Sequence, residues 1–487
     1  MSERGIHAVQ VAGAPIVVES AKCTPLYVGM APVWQLESGN WKEALGKAFL
    51  ISSIDDARGK IGYFQPESGS WSKEFSLCEP AFVHFGDEQH LSAPIMVLVG
   101  KAEISESEEK ASASIPISGG IGYLDVNGLG ILSSVSIDKK TLGTDFSASY
   151  DEYGRRIIIR DLTGTLGKTV TVKYKTVINI TGVSISEKTF DVVDLLEQKV
   201  GEVPVTLLCP GWEGEYIGGD SKNKTIAERL MDINKGQIDN HWYTTSIFQL
   251  SGVDRTEAET EKLKYDYPKA KVCWPYYLTS GLVIHMCIIY AYAKLIVDIR
   301  HTDNRGIPYE SESNEKIYLK GCLCDSAGKV IEQTDKQAND LNDIGIATAK
   351  FVDGGWRTAG VVMSNYRADN VKNINADELN DVAVRMKDYV CNDFQSTYVD
   401  DVDKPIPPRR VKEIRDDYGI VLSGLVSSGA LLYATISYNS ADNTAAGNAN
   451  GEFVFAISET NTPPGTLILA KVAYTPEGLN AYQEVSD

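Results

Sequence analysis

The sequence predicts a multidomain α/β protein: an α/β core with a parallel or mixed sheet, an inserted antiparallel β domain, and extended β arms at both ends. Three observations carry this. Helical segments alternate with continuously apolar strands over residues 23–100 and again from 183, as in a layer covered on both faces. Between 101 and 182 the apolar period drops to two. Short β-prone runs without helical period open and close the chain, and 487 residues exceed what one ordinary core accommodates.

In chain order, residues 1–22 read as an extended arm, with GIHAVQV and PIVVE separated by Gly13 and Pro15. Val9, Val11, Ile16 and Val18 are its candidate pairing positions. The first part of the core, 23–100, holds a buried strand in PLYVGMAPV, helices at 53–63 and 74–86, and a second buried strand at 93–100. A polar run, EISESEEKASAS, opens the insert at 101–182, where ILSSVSI, TDFSASY, RRIIIR and TVTVKYK alternate. The core resumes over 183–377 with a helix at 190–200, a strand at 203–212, a helix at 225–235 and strands at 242–250 and 271–278. Residues 281–299 are apolar apart from His285, Lys294 and Asp298, charges that are expensive in lipid, so a core helix is expected and no membrane insertion.

The last core part, 378–462, reads as helices at 378–399 and 408–428, the second with Ile414, Tyr418, Val421 and Leu425 on one face, then strands LLYATISY and EFVFAIS. The closing arm, 463–487, contains TLILAKVAYT, with Ile468, Ala470, Val472 and Tyr474 on one face and Leu467 and Leu469 on the other. A strand apolar on both faces needs cover on both, and neither arm has a hairpin partner nearby in sequence, so each is expected to pair with another chain.

Charge narrows the function classes. Lys+Arg 47 against Asp+Glu 66 gives a net charge of -19, which repels phosphate backbones and argues against nucleic-acid binding. No apolar h-region follows Met1, so no secretory signal is expected, and the eight scattered cysteines fit reduced thiols. GTLGKT at 164–169 resembles the end of a phosphate loop, but Leu162 stands where the first glycine belongs and a strand pattern follows, so it reads as a hairpin turn. The glycine cluster 119–130 reads as loop. Cys322 and Cys324 lack a second pair at zinc-ligand spacing and read as neighbours on one strand face. His84 and His285 fall in expected helices, and His301 lies near Asp303, but no serine nucleophile motif accompanies them. No catalytic, metal or cofactor site emerges. In KPIPPRRVK, Lys404, Arg409, Arg410 and Lys412 stand without an acid at a proline-marked helix start. This is either a solvated helix end or a basic contact for an acidic partner.

Several stretches resemble the contractile tail sheath family of myophages and tailocins. CTPLYVGMAPV is similar to its first core strand, and DNRGIPYESESN (303–314) to its motif after the long core helix. QANDLNDIGIATAKFVDGGWRTAG (337–360) matches its Leu-Asn…Gly-Ile…Thr-Ala run ending in Trp, and VDKPIPPRRVKEI resembles its C-terminal region. The chain departs at Asn304-Arg305-Gly306, where many relatives carry a second glycine, which bears on local turn geometry. The resemblance implies a structural protein, not an enzyme, needing no cofactor. It would form stacked hexameric rings around a tail tube, linked to neighbouring copies by its terminal arms. A baseplate signal would release contraction that drives the tube through the target envelope. The implied partners are other copies, the tube protein, baseplate and tail terminator proteins. The implied location is a virion tail or tailocin particle assembled in the bacterial cytoplasm, with Arg409, Arg410 and Lys412 as tube-contact candidates. Another self-assembling tail or capsid component, or an α/β enzyme with a β insertion, are the competing readings.

Overall fold

Runs such as Leu26-Tyr27-Val28 and Ile95-Met96-Val97-Leu98-Val99 cannot present either face to water, and they build the centre of the protein. The structure, a computed structural model, describes residues 23–37, 39–86, 93–240, 242–300, 306–369 and 371–482. Its central sheet comprises β1 (Pro25–Gly29), β2 (Ala48–Ile51), β3 (Ile95–Val99), β4 (Thr206–Leu208), β5 (Thr245–Gln249), β6 (Ala270–Cys273), β7 (Ile346–Val352) and β8 (Gly355–Ala359). The order is β2-β3-β1-β4-β5-β6-β7-β8. The six inner strands run parallel, and both edge strands are antiparallel to their neighbours, so the expected α/β layer is a mixed sheet. Every residue of β1, β3, β5 and β6 is buried, as continuous apolar strands require. Helix α1 (Met286–Arg300) packs on β4, β5 and β6 with 12 of its 15 residues buried.

The insert has its own core. Strands Ala111–Pro116, Thr169–Tyr174 and Ser136–Ile137 form one antiparallel sheet, and Ile121–Asp125, Arg156–Asp161 and Phe146–Tyr150 another. Leu124, Phe146, Ile157, Ile159, Val170 and Val172 belong to the cluster that joins them. A buried joint seats this unit on the core. Trp34 Nε1 donates to the Gly128 carbonyl (2.7 Å), and Gln35 donates to the Gly154 carbonyl (3.0 Å) while accepting from Tyr63 N (3.1 Å). Arg155 adds bonds to the Gln65 (2.6 Å) and Pro66 (2.9 Å) carbonyls. Gly154 sits at φ +67°, and a Cβ there would lie 1.7 Å from the Tyr63 carbonyl oxygen.

A third cluster, with Met386, Val390, Tyr418, Leu422, Leu425 and Leu431, organises the C-terminal unit. It holds helices α2 (Asp381–Tyr398) and α3 (Pro408–Ser427) and the antiparallel pair β9 (Leu431–Ser437) and β10 (Ala456–Asn461).

Several local expectations are corrected. Residues 281–299 are not one helix: Leu282–Ile284 is a strand and α1 starts at Met286, with His285 between them donating its N–H to Glu79 Oε1 (2.6 Å). The strand expected at 271–278 splits at Pro275, which cannot donate to a ladder, so Tyr276–Thr279 joins a different, four-stranded sheet. Residues 187–195 form a 3-10 helix, and only Leu196–Val200 is α-helical; Phe190, Val193 and Leu196 are spaced to suit three residues per turn. In the insert, Leu132–Ser134 is a 3-10 turn rather than strand, while the supposed glycine loop contains strand Ile121–Asp125. The 164–169 turn is no hairpin, because the strands flanking it lie in different sheets. It is held by Asp161, whose carboxylate accepts four backbone N–H groups from Thr163 to Leu166. On α3 the buried position is Leu422 and not Val421, since the 3.6-residue period drifts toward i+8 after two turns. Cys322 is only partly buried beside the fully buried Cys324, and His301 and Asp303 lie outside the described residues.

Candidate functional site

Open α/β sheets hold ligands in the crevice beyond the carboxyl ends of their strands, where the strand order reverses. Here that point lies between β1 and β4, and it is filled. Trp212, fully buried, donates from Nε1 to Ser76 Oγ (2.9 Å), which accepts from Met30 N (3.0 Å). Nearby, His285 Nδ1 pairs with Glu79 Oε2 (2.8 Å), and Glu213 accepts from Gln249 N (3.0 Å). Burial pushes Glu213 up to about 7 against the pull of His285. Burial also pushes the Cys209, Cys273 and Cys287 thiols well above their ordinary value, away from the nucleophilic thiolate. Among the described residues no cluster of His, Cys, Asp or Glu has metal-binding geometry, and no helix is long and apolar enough to cross a membrane.

What the fold leaves open lies at the C-terminal unit. β9 and β10 hydrogen-bond only to each other within the described residues, so both outer edges of this two-stranded sheet are unpaired. From β10 the chain turns back once, Thr462 Oγ1 donating to the Gly429 carbonyl (2.6 Å), and then runs outward. Residues 462–475 join no ladder among the described residues, and pairing of 466–475 with another chain remains the expectation for this arm. Ile468 is 92% exposed, Val472 93% and Tyr474 82%. Leu467 and Leu469 on the other face are exposed as well. The remaining arm positions, Val9, Val11, Ile16 and Val18, lie outside the described residues.

Pro407 and Pro408 start α3, with Pro407 at the cap, and place the basic cluster in its first turn. Acids that flank the cluster reach it, Glu413 from the same helix and Asp401 from the turn before it. Arg410 pairs with Asp401 (2.6 Å), from the turn after α2, and with Glu413 (3.5 Å). Its bonds to Asp401 hold that carboxyl below its ordinary value. Arg409 pairs with Glu413 (2.8 Å) yet is 89% exposed in its side chain, and Lys412 is exposed. Arg409 and Lys412 therefore face solvent, while Arg410 braces the turn.

The largest group of charges that sequence reasoning missed lies between the sheet and the C-terminal unit. Lys271 Nζ on β6 sits 2.6 Å from Glu312 Oε1, 3.0 Å from Asp381 Oδ2 on α2 and 3.0 Å from the Gly360 carbonyl. Arg385 on α2 grips both oxygens of Asp298 on α1 (2.7 and 2.8 Å) and donates to the Glu310 carbonyl (2.6 Å). Lys294 donates to the Thr206 and Thr245 hydroxyls, and burial pushes it down to about 8. Burial also raises Asp298 against the pull of Arg385. The N-terminal half of α2 is thus anchored to the sheet by ions, and its other half to α3 by apolar contact. The available signal was Lys294 and Asp298 inside an otherwise apolar helix; their partners stand far off in sequence.

No family profile matches this sequence, and no curated protein matches it. Solved structures do. One chain in the cryo-EM structure of the anti-feeding prophage baseplate, six-fold symmetrised, matches with a TM-score of 0.55 and 14% identity, covering 98% of this chain and 99% of that one. The sheath tail protein of Desulfitobacterium hafniense matches with a TM-score of 0.49 and 10% identity, covering 94% and 100%. The sheath tail protein of Listeria innocua gives 0.48 and 12%, covering 91% and 96%. At 14% identity the first of these shows a shared fold.

Proposed function

We propose that this chain is the sheath subunit of a contractile tail, polymerising as stacked hexameric rings around a tube and shortening to drive the tube through a target envelope. The observation that carries this reading is the C-terminal arm: apolar on both faces, exposed in the single chain, and attached to a two-stranded sheet with two open edges. Residues 466–475, extended, span about 33 Å at about 3.3 Å per residue, enough to lie along β9 or β10 of a neighbouring copy. Strand addition would pair one open edge of that sheet with each arm, and the neighbouring copy would pack over the arm's apolar faces. The fold shared with a baseplate chain and the sequence resemblance to sheath proteins support the same reading.

Contraction then consists of rigid subunits turning about their arms while strand ladders between copies persist, a bistable lattice and not a chemical step. The N-terminal arm, through Val9, Val11, Ile16 and Val18, is assigned the same task. Arg409 and Lys412 are assigned to an acidic tube surface, with baseplate and terminator proteins at the two ends of the sheath. The shared fold also favours a second reading, a baseplate-resident component. Electron microscopy of the purified chain distinguishes them: long tubes support the sheath, closed rings of fixed size the baseplate, and a small closed oligomer without either refutes both.

A further inference from the structure

The two carboxylates Glu312 and Asp381 meet over a single ammonium, Lys271, at a site from which water is excluded. The other charges around them are shared with further partners. Arg385 on α2 is held in a two-pronged bond by Asp298 on α1 and stays 3.7 Å from Glu312. Lys294 on α1 bonds hydroxyls of β4 and β5. Tyr290 on α1 places its ring 5.4 Å from Lys271 Nζ, and its hydroxyl donates to the Thr348 carbonyl. From the segment before Glu312, Ser311 donates to Asp381 Oδ2 (2.7 Å). Lys271 and Arg385 pair with three carboxylates, Glu312, Asp381 and Asp298, so full ionisation leaves one negative charge unmatched by these two cations in a medium of low dielectric.

We infer that this seam is a proton-controlled clamp: one proton held by the Glu312–Asp381 pair keeps α2 on the sheet, and its loss loosens the C-terminal unit. The electrostatics agree. Burial, then the Glu312 charge, pushes Asp381 up to about 7. Burial opposes ionisation of Glu312, but Lys271 and Arg385 outweigh it and hold that carboxyl below its ordinary range. The folded pair therefore keeps one proton up to about pH 7, whereas an unfolded pair holds almost none above about pH 5. Between those values the folded seam binds the extra proton, so its stability falls as pH rises, by up to about tenfold in the opening equilibrium per pH unit. Below about pH 4 the sign reverses, because the released carboxylates then take up two protons. The clamp belongs to the folded subunit and stands whether or not the chain polymerises.

Hydrogen exchange on the full-length chain tests it, read on peptides from α2 and from the inserted domain and corrected for intrinsic exchange rates. Protection of α2 is expected to fall between pH 5 and pH 7 and level off above 8, while the inserted domain keeps its protection. Asp381→Asn, which keeps the seam neutral, is expected to abolish the slope. Ser311→Ala, a gentler change at a partly exposed residue, removes a donor to the ionised form and should move the fall up by about one pH unit. Wild-type α2 protection independent of pH overturns the clamp, as does an equal fall in the inserted domain. So does an Asp381→Asn chain that retains the slope, or a Ser311→Ala chain with an unmoved midpoint.

Discussion

Replacing Gly154 by Ala tests how firmly the inserted domain is seated. Two costs add at this position. An L-residue at φ +67° costs about 1–2 kcal/mol. The new methyl would also fall 1.7 Å from the Tyr63 carbonyl oxygen, a backbone atom that cannot swing aside, so the joint must open. Opening breaks the bond from Gln35 to the Gly154 carbonyl (3.0 Å) and the one from Gln65 N to the Tyr153 carbonyl (2.9 Å). Each is worth about 1 kcal/mol and leaves polar groups of the joint unpaired. The expected loss is about 3–5 kcal/mol. Gly164→Ala is the control: φ is +73°, but no atom lies within 4 Å of its Cβ, so only the backbone cost of about 1–2 kcal/mol applies. Urea unfolding followed by circular dichroism, with limited proteolysis at residues 61–67 and 151–155, measures both. Equal losses in the two variants would refute the joint as a close backbone contact.

The remaining expectations concern the seam, the arms, the basic turn and one buried acid. Lys271→Met strands two buried carboxylates and should cost about 3–5 kcal/mol in denaturant unfolding, against nearly nothing for Lys412→Met; equal effects would contradict the seam. Pro at Val472, which is 93% exposed, should leave the subunit's melting temperature unchanged yet stop tube formation, as should Pro at Val9; tubes of normal length would show that the arms do not hold the lattice. Arg409→Glu with Lys412→Glu should weaken tube co-assembly and make it more salt-sensitive without destabilising the subunit. Arg410→Glu should instead lower subunit stability by up to about 1 kcal/mol through the lost Asp401 pair, read by thermal unfolding. Glu213, raised to about 7 by burial, contributes stability that is full below about pH 4 and lost as pH rises through 7, up to about 3 kcal/mol. Glu213→Gln should flatten that part of the stability profile between pH 5 and 8, and an unchanged profile would show that Glu213 is ionised throughout.

Much of the architecture was legible because its signals are short-ranged. Five consecutive apolar residues at 95–99 announce a strand buried on both faces wherever it ends up. The alternation in 156–161 and 169–174 announces strands half-buried on a small core. Misjudgements arose where local pattern and chain context diverge. Gly120 and Gly122 made 119–130 look like a loop, yet Gly122 lies within a strand because Ile115 and Ile117 press against its bare Cα. The apolar run 281–299 carries no mark at His285, where the chain passes from strand to helix, because the group that accepts its backbone N–H, Glu79, stands 206 residues away.

The sequence by itself determined which segments are apolar, with what period, and where a proline opens a helix, because these are properties of neighbours along the chain. It also determined that the final arm is apolar on both faces. Only the tertiary structure decided that the strands flanking 164–169 belong to different sheets, that Asp401 answers Arg410, and that 466–475 joins no ladder among the described residues. It alone brought Lys271 to Asp381, 110 residues on, and Asp298 to Arg385, 87 residues on. The physical reason is range. Side-chain period is set within a few residues, whereas the pairing of buried charges and the order of strands depend on which distant segments exclude water together.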